Sequence, residues 1–93
     1  ILAANEEAAI GAAGALRSSG LSIPKDLSII SFNDTPLSAL TDPPLTSISS
    51  HVDAMSATAI HMLLQRISGQ APEIPLKVMV PPTLIVRESV RTF

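Results

Sequence analysis

The chain has 93 residues, with six Lys and Arg against eight Asp and Glu for a formal net charge of −2; only 15% is charged, 46% is apolar and cysteine is absent. These figures exclude a disulfide scaffold and thiolate metal sites, and without a basic cluster or an aromatic ladder the residues present have no electrostatic grip on nucleic acid. No apolar run approaches the roughly 18 residues of a membrane span and no leader pattern is visible, so a soluble chain with no membrane contact is expected, in keeping with a reducing, cytoplasmic compartment. A chain of this length buries only about 60 to 65% of its unfolded surface, so its core is expected to be thin. So apolar a composition, opening on Ile1-Leu2-Ala3-Ala4 without methionine, suggests a fragment or a tightly partnered chain.

In chain order, residues 1 to 4 form a short apolar run that ends on Asn5, a favoured helix cap. Glu6 and Glu7 then sit where a helix dipole favours negative charge, and Ala9, Ala13 and Leu16 recur at helical spacing. Arg17 and Gly20 mark the stop, which predicts a helix over about 6 to 19. After a turn at Pro24-Lys25-Asp26, Leu27 to Phe32 is apolar without clean alternation, the pattern of a parallel strand covered on both faces. Strand, helix and strand within about thirty residues make a βαβ unit, whose parallel strands end at one edge. Asn5 and Asn33-Asp34 therefore arrive at a common rim, where open α/β sheets bind ligands.

Thr35 to Pro44 is rich in breakers and reads as a shaped loop. Leu45 to Ser49 reads as a short strand. Ser50-His51-Val52-Asp53 has the spacing of a capping box, opening a helix whose stripe of Val52, Met55, Ala59, Leu63 and Ile67 runs to about residue 68. Two β-rich runs follow, Leu76 to Val80 and Thr83 to Arg87, divided by Pro81-Pro82. About five strands and two helices result, an α/β pattern with too few helices to cover both faces of its sheet.

Enzymatic constellations are missing. His51 and His61 are too far apart for a helical metal pair, and no nucleophile elbow, phosphate loop or dinucleotide fingerprint appears, so no catalytic residue, metal or cofactor is expected. His61 reads as a surface or partly packed residue. Asn5, Asn33 and Asp34 admit two readings: cap and turn chemistry, or a binding rim. Amides and a carboxylate beside Phe32 suit a hydroxylated ligand, for which a sugar is the natural choice. Gly11 and Gly14 share one helical face with Glu7 and Ser18, next to Ile10; that bald face either admits another backbone or is tolerated against solvent.

The stretch from Ala3-Ala4-Asn5-Glu6-Glu7 through Gly20-Leu21-Ser22-Ile23-Pro24-Lys25-Asp26-Leu27-Ser28-Ile29-Ile30-Ser31-Phe32-Asn33-Asp34 and Pro43-Pro44-Leu45-Thr46-Ser47-Ile48, closed by Leu84-Ile85-Val86-Arg87-Glu88-Ser89, resembles the carboxyl-terminal part of the LacI/GalR regulators. The resemblance implies a partial type I periplasmic-binding-protein-like fold, with a mainly parallel sheet and flanking helices. It places 1–48 and 83–88 in a second lobe and sends 49–80 back to a first. It implies a small sugar effector in the cleft, a homodimer, and operator DNA bound through a headpiece outside these residues. By the same resemblance Asn5, Phe32, Asn33, Ser50 and Val52 contact or wall the effector site, with Asp34 beside them at the rim. Asn33 stands where an aspartate is common, so the hydroxyl pattern it reads differs. Ser50 has two claimed roles, cap and contact. Ile10, Leu40 and Thr41 match dimer-interface positions, and Gly14 shares the Ile10 face. A secreted transport receptor of the same fold is the alternative.

Overall fold

A computed structural model describes residues 1–92. Three helices, α1 (Glu6–Ser18), α2 (Leu37–Leu40) and α3 (Val52–Ile67), alternate with three strands, β1 (Ile30–Phe32), β2 (Thr46–Ser49) and β3 (Thr83–Ile85). The sheet order is β1-β2-β3. β1 and β2 run parallel, Ile30 opposite Thr46, whereas β3 returns antiparallel to β2, with Thr83 opposite Ser49. Leu2 adds a parallel bridge to Ile30 at the outer side of β1. The mixed, mostly parallel sheet with flanking helices matches the expected α/β class.

α1 starts and stops where its end residues dictate. Asn5 is extended and accepts from the Ala8 amide at 2.8 Å, Glu6 and Glu7 face the positive end of the dipole, and Arg17 lies in the last turn. Ala9 and Ala13 are buried beneath it, with Ala3, Ile29 and Leu45, and Ala12, Leu16 and Ile23 close over this core. Alanines dominate because α1 lies close upon the sheet. The core is thin, as the chain length requires.

Three expectations are corrected. Leu76 to Val80 forms no strand and stays largely exposed. No neighbouring strand is available there, and Pro75 and Pro81 bracket the run, each lacking an amide donor. The loop from Thr35 to Pro44 contains the short helix α2, whose Ser38 is buried. Ser50 does not cap α3: the cap position is His51, which offers no side-chain acceptor. The Ser50-to-Asp53 spacing fits a capping box, but His51 takes the left-handed turn, φ +53°, that starts the helix one residue later.

α3 has no buried residue. Its predicted stripe, Val52, Met55, Leu63 and Ile67, lies exposed, although Thr58, Met62 and Gln65 are half-buried where residues 71–78 run back along the helix. The molecule is accordingly long, 59 × 24 × 18 Å with a radius of gyration of 18.0 Å. A compact globule of this length has about 12 Å.

Candidate functional site

Because β1 and β2 are parallel, both deliver their carboxyl ends to one edge, and the Leu2 bridge brings Asn5 up to that same edge. The backbone turns sharply there. Asn33, Asp34 and His51 all have positive φ, at 89°, 51° and 53°. After glycine, Asn, Asp and His are the residues that tolerate this region best, which is why β1 can end on Asn33-Asp34.

Those turns are held from beneath by hydroxyls. Ser31 and Ser47, paired in register and fully buried, share a hydrogen bond of 3.1 Å; the Ser47 hydroxyl donates to the Ser31 carbonyl and accepts from the Asp34 amide at 3.0 Å. Glu6, only 4% exposed, accepts from the Thr35 amide at 2.8 Å and from the Ser38 hydroxyl at 2.9 Å. Burial pushes its carboxyl up, but the bonds from Thr35 and Ser38 outweigh that and hold it below its ordinary value. The first residue of α1 thus fixes the loop that follows β1.

The segment after β3 closes the frame. The Arg87 guanidinium lies 2.7 Å from an Asp34 carboxylate oxygen and 2.8 Å from the Leu45 carbonyl, both groups half-buried. The Ser89 hydroxyl donates to the Ile29 carbonyl at 2.5 Å and accepts from the Thr46 amide at 2.8 Å. These long-range contacts give the closing Arg-Glu-Ser run a structural role.

Above this frame opens a cleft of about 680 Å³, lined by Asn33, Asp34, Thr35 and Pro36 after β1, by Ser49 at the end of β2 and His51 to Ala54 beyond it, and by Arg87. Of the residues expected at the site, Asn33, Asp34 and Val52 line it. Asn5 and Ser50 stand at the same edge outside the lining, and Phe32, at the end of β1, also lies outside it, exposed on the face opposite the buried Ser31. Sequence reasoning assigned no site role to Thr35, Ser49, Asp53 or Arg87. For Arg87 the signal was the Arg-Glu-Ser run, but nothing local named Asp34 as its partner. His51 also reaches sideways, its Nε2 2.7 Å from the Thr83 hydroxyl, which ties the two chain passages leaving the sheet.

A second, smaller groove of about 180 Å³ lies between α1 and the loop before β2, lined by Ile10, Ala13, Arg17 and Thr41 among others. Ile10 and Thr41, expected on an interface, thus share one surface; Leu40 is 79% exposed beside it, and Gly14 has open space above it.

A family profile described as a periplasmic binding protein-like domain matches residues 1–90. The HTH-type transcriptional regulator MalR of Streptomyces coelicolor is 43% identical over 96% of this chain and 26% of its own length. The chain belongs to the LacI/GalR family. Two solved structures of transcriptional regulators superpose closely. The regulator CelR in complex with cellobiose has a TM-score of 0.88 and 30% identity, over 95% of this chain and 27% of that one. The lac repressor dimer bound to operator and an anti-inducer has a TM-score of 0.86 and 32% identity, over 98% and 31%. The chain spans about a quarter of the length of LacI/GalR relatives such as MalR, 26% of that regulator.

Proposed function

We propose that these residues are the effector-binding and dimerisation part of a bacterial, sugar-responsive transcriptional regulator acting in the cytoplasm. The cleft at the carboxyl edge of the parallel pair carries this reading, since open α/β sheets take ligands there and its amide, hydroxyl and carboxylate lining suits hydroxyl groups. Asn33, Asp34 and Val52 meet the effector directly; Asn5, Phe32 and Ser50 contribute from the surrounding edge once the lobes close. Residues 1–48 and 83–88 belong to the second lobe and 49–80 to the first, which accounts for the bare flank of α3. The Ile10 and Thr41 groove, with Leu40 and Gly14, forms the homodimer surface. A lac repressor dimer has been captured on operator with an anti-inducer, and CelR with cellobiose, which favours a regulator over a secreted transport receptor.

In the intact regulator, effector in the cleft stabilises one of two lobe arrangements, and the arrangement sets how a headpiece outside these residues meets operator DNA. The switch needs differential affinity for the two arrangements. Titration calorimetry of the intact regulator against a panel of sugars and sugar phosphates, followed by operator binding with each ligand, tests this. At least one ligand is expected to bind and to shift operator affinity by fivefold or more; a panel that leaves operator binding unchanged overturns the effector role.

A further inference from the structure

Beyond Phe32 the chain leaves the sheet as one wall of the cleft, Asn33 to Pro36. Successive amides of that wall are anchored to different groups: Asn33 donates to the Ile48 carbonyl at 2.9 Å, Asp34 to the Ser47 hydroxyl at 3.0 Å, and Thr35 to the Glu6 carboxylate at 2.8 Å. Pro36 has no amide to donate. Thr35 is therefore the last anchored amide of the wall, and its acceptor comes from α1 rather than from the sheet. The same Glu6 oxygen accepts from the fully buried Ser38 hydroxyl at 2.9 Å, while the Ser38 carbonyl accepts from the Leu45 amide at 2.8 Å. One carboxylate oxygen thus pins the wall and α2 together, and Ser38 passes the hold on to the entrance of β2.

We propose that Glu6 is a positioning residue for the cleft: lying beneath the wall and outside the lining, it fixes where Asn33, Asp34 and Thr35 meet the hydroxyls of a ligand, a role that rests on reading the cleft as a sugar site. Asn33 and Asp34 are held at φ 89° and 51°, a region that a non-glycine residue keeps only when its surroundings impose it. The anchor on the next residue is part of that imposition. With a methyl in place of the carboxylate, the Ser38 hydroxyl and the Thr35 amide both lose their acceptor, and the loop relieves the loss by shifting toward water. Recognition of hydroxyl groups depends on hydrogen bonds that tolerate only about 0.5 Å of misplacement, so the shift is read as lost affinity. Glutamine at the same position keeps an acceptor oxygen within reach of both donors and preserves the wall.

The test is titration calorimetry of the intact regulator with glucose, galactose, maltose and cellobiose, beside amide exchange over residues 33–39 followed by mass spectrometry without ligand. Glu6→Ala is expected to weaken the best-binding sugar about tenfold or more and to speed exchange over 33–39 about fivefold or more, whereas Glu6→Gln stays within about threefold of the parent in both. Ile29→Val, which trims the core away from the wall, separates positioning from stability: it lowers Tm and leaves sugar affinity within about twofold. Should Glu6→Ala not accumulate as folded protein, Ser38→Ala takes its place, with an expected loss of about threefold or more. Parent-like affinity in Glu6→Ala or its substitute, an equal loss in Ile29→Val, or unchanged exchange over 33–39 overturns the positioning role and leaves the sugar site standing. A parent regulator that binds none of the sugars overturns the sugar site and the ligand role of Glu6 with it, and the exchange rates then decide by themselves whether Glu6 anchors the wall.

Discussion

Glu6 shows most sharply what position along the chain conceals. At the start of α1 it reads as a charge placed for the helix dipole, yet it is buried, and its partners Thr35 and Ser38 lie about thirty residues away. Since the folded carboxyl titrates below its unfolded value, the unfolded chain takes up the proton first as pH falls. The resulting stabilisation is full above the ordinary glutamate range and is lost as pH drops through the depressed folded value. Glu6→Gln keeps an acceptor oxygen but cannot titrate, so urea unfolding between about pH 3 and 6 should show a flatter dependence than the parent protein. Ser89 is the other hidden residue. Ser89→Ala leaves the buried Thr46 amide and Ile29 carbonyl without their hydroxyl partner and is expected to cost about 1–3 kcal/mol in the same assay.

α1 was legible from its caps and spacing because those signals are local. Asn5 and Glu7 act within the first turn, and the Ala9-Ala13-Leu16 spacing shows in the sequence alone, although that stripe packs on Ile29 and Leu45 and Arg17 reaches the Asp42 carbonyl. Strand ends were legible for the same reason, since Asn33-Asp34 can turn where bulkier residues cannot. The strand expected over Leu76 to Val80 failed because composition names a segment suited to a sheet without supplying a neighbour to pair with. Ser31 and Ser47 were unreadable as core, for a buried hydroxyl is recognisable only through its partner. Gly14 remains the informative position on α1. An added methyl there meets nothing within 4 Å, so Gly14→Ala is expected to stabilise the helix by about 0.5–1 kcal/mol. If α1 meets a second copy on that face, the same substitution raises Tm while weakening dimerisation in sedimentation equilibrium; a tolerated solvent glycine would raise Tm alone.

Taken whole, the molecule is unevenly built. α1, β1, β2 and the Arg87 to Ser89 segment share the core and most long-range bonds, whereas α3 and residues 71–80 extend from them with Ile60, Leu64, Ile74 and Met79 exposed. Burial of that flank by the rest of a regulator would explain why so apolar a chain keeps so small a core. Hydrogen exchange on the 93-residue chain should therefore protect β1, β2 and the core face of α1 and leave α3 amides fast. Strong protection throughout α3 would contradict this division.

The span of the Arg87 and Ser89 contacts has a bearing on how the protein is made. A ribosome delivers Ile29, Asp34 and Thr46 well before the residues 41 to 60 positions later that hydrogen-bond to them. Translation therefore runs nearly to the end of this region before the rim can lock. A message cut short ahead of residue 87 would release a chain in which Asp34, Thr46 and Ile29 lack these partners and the edge cannot close.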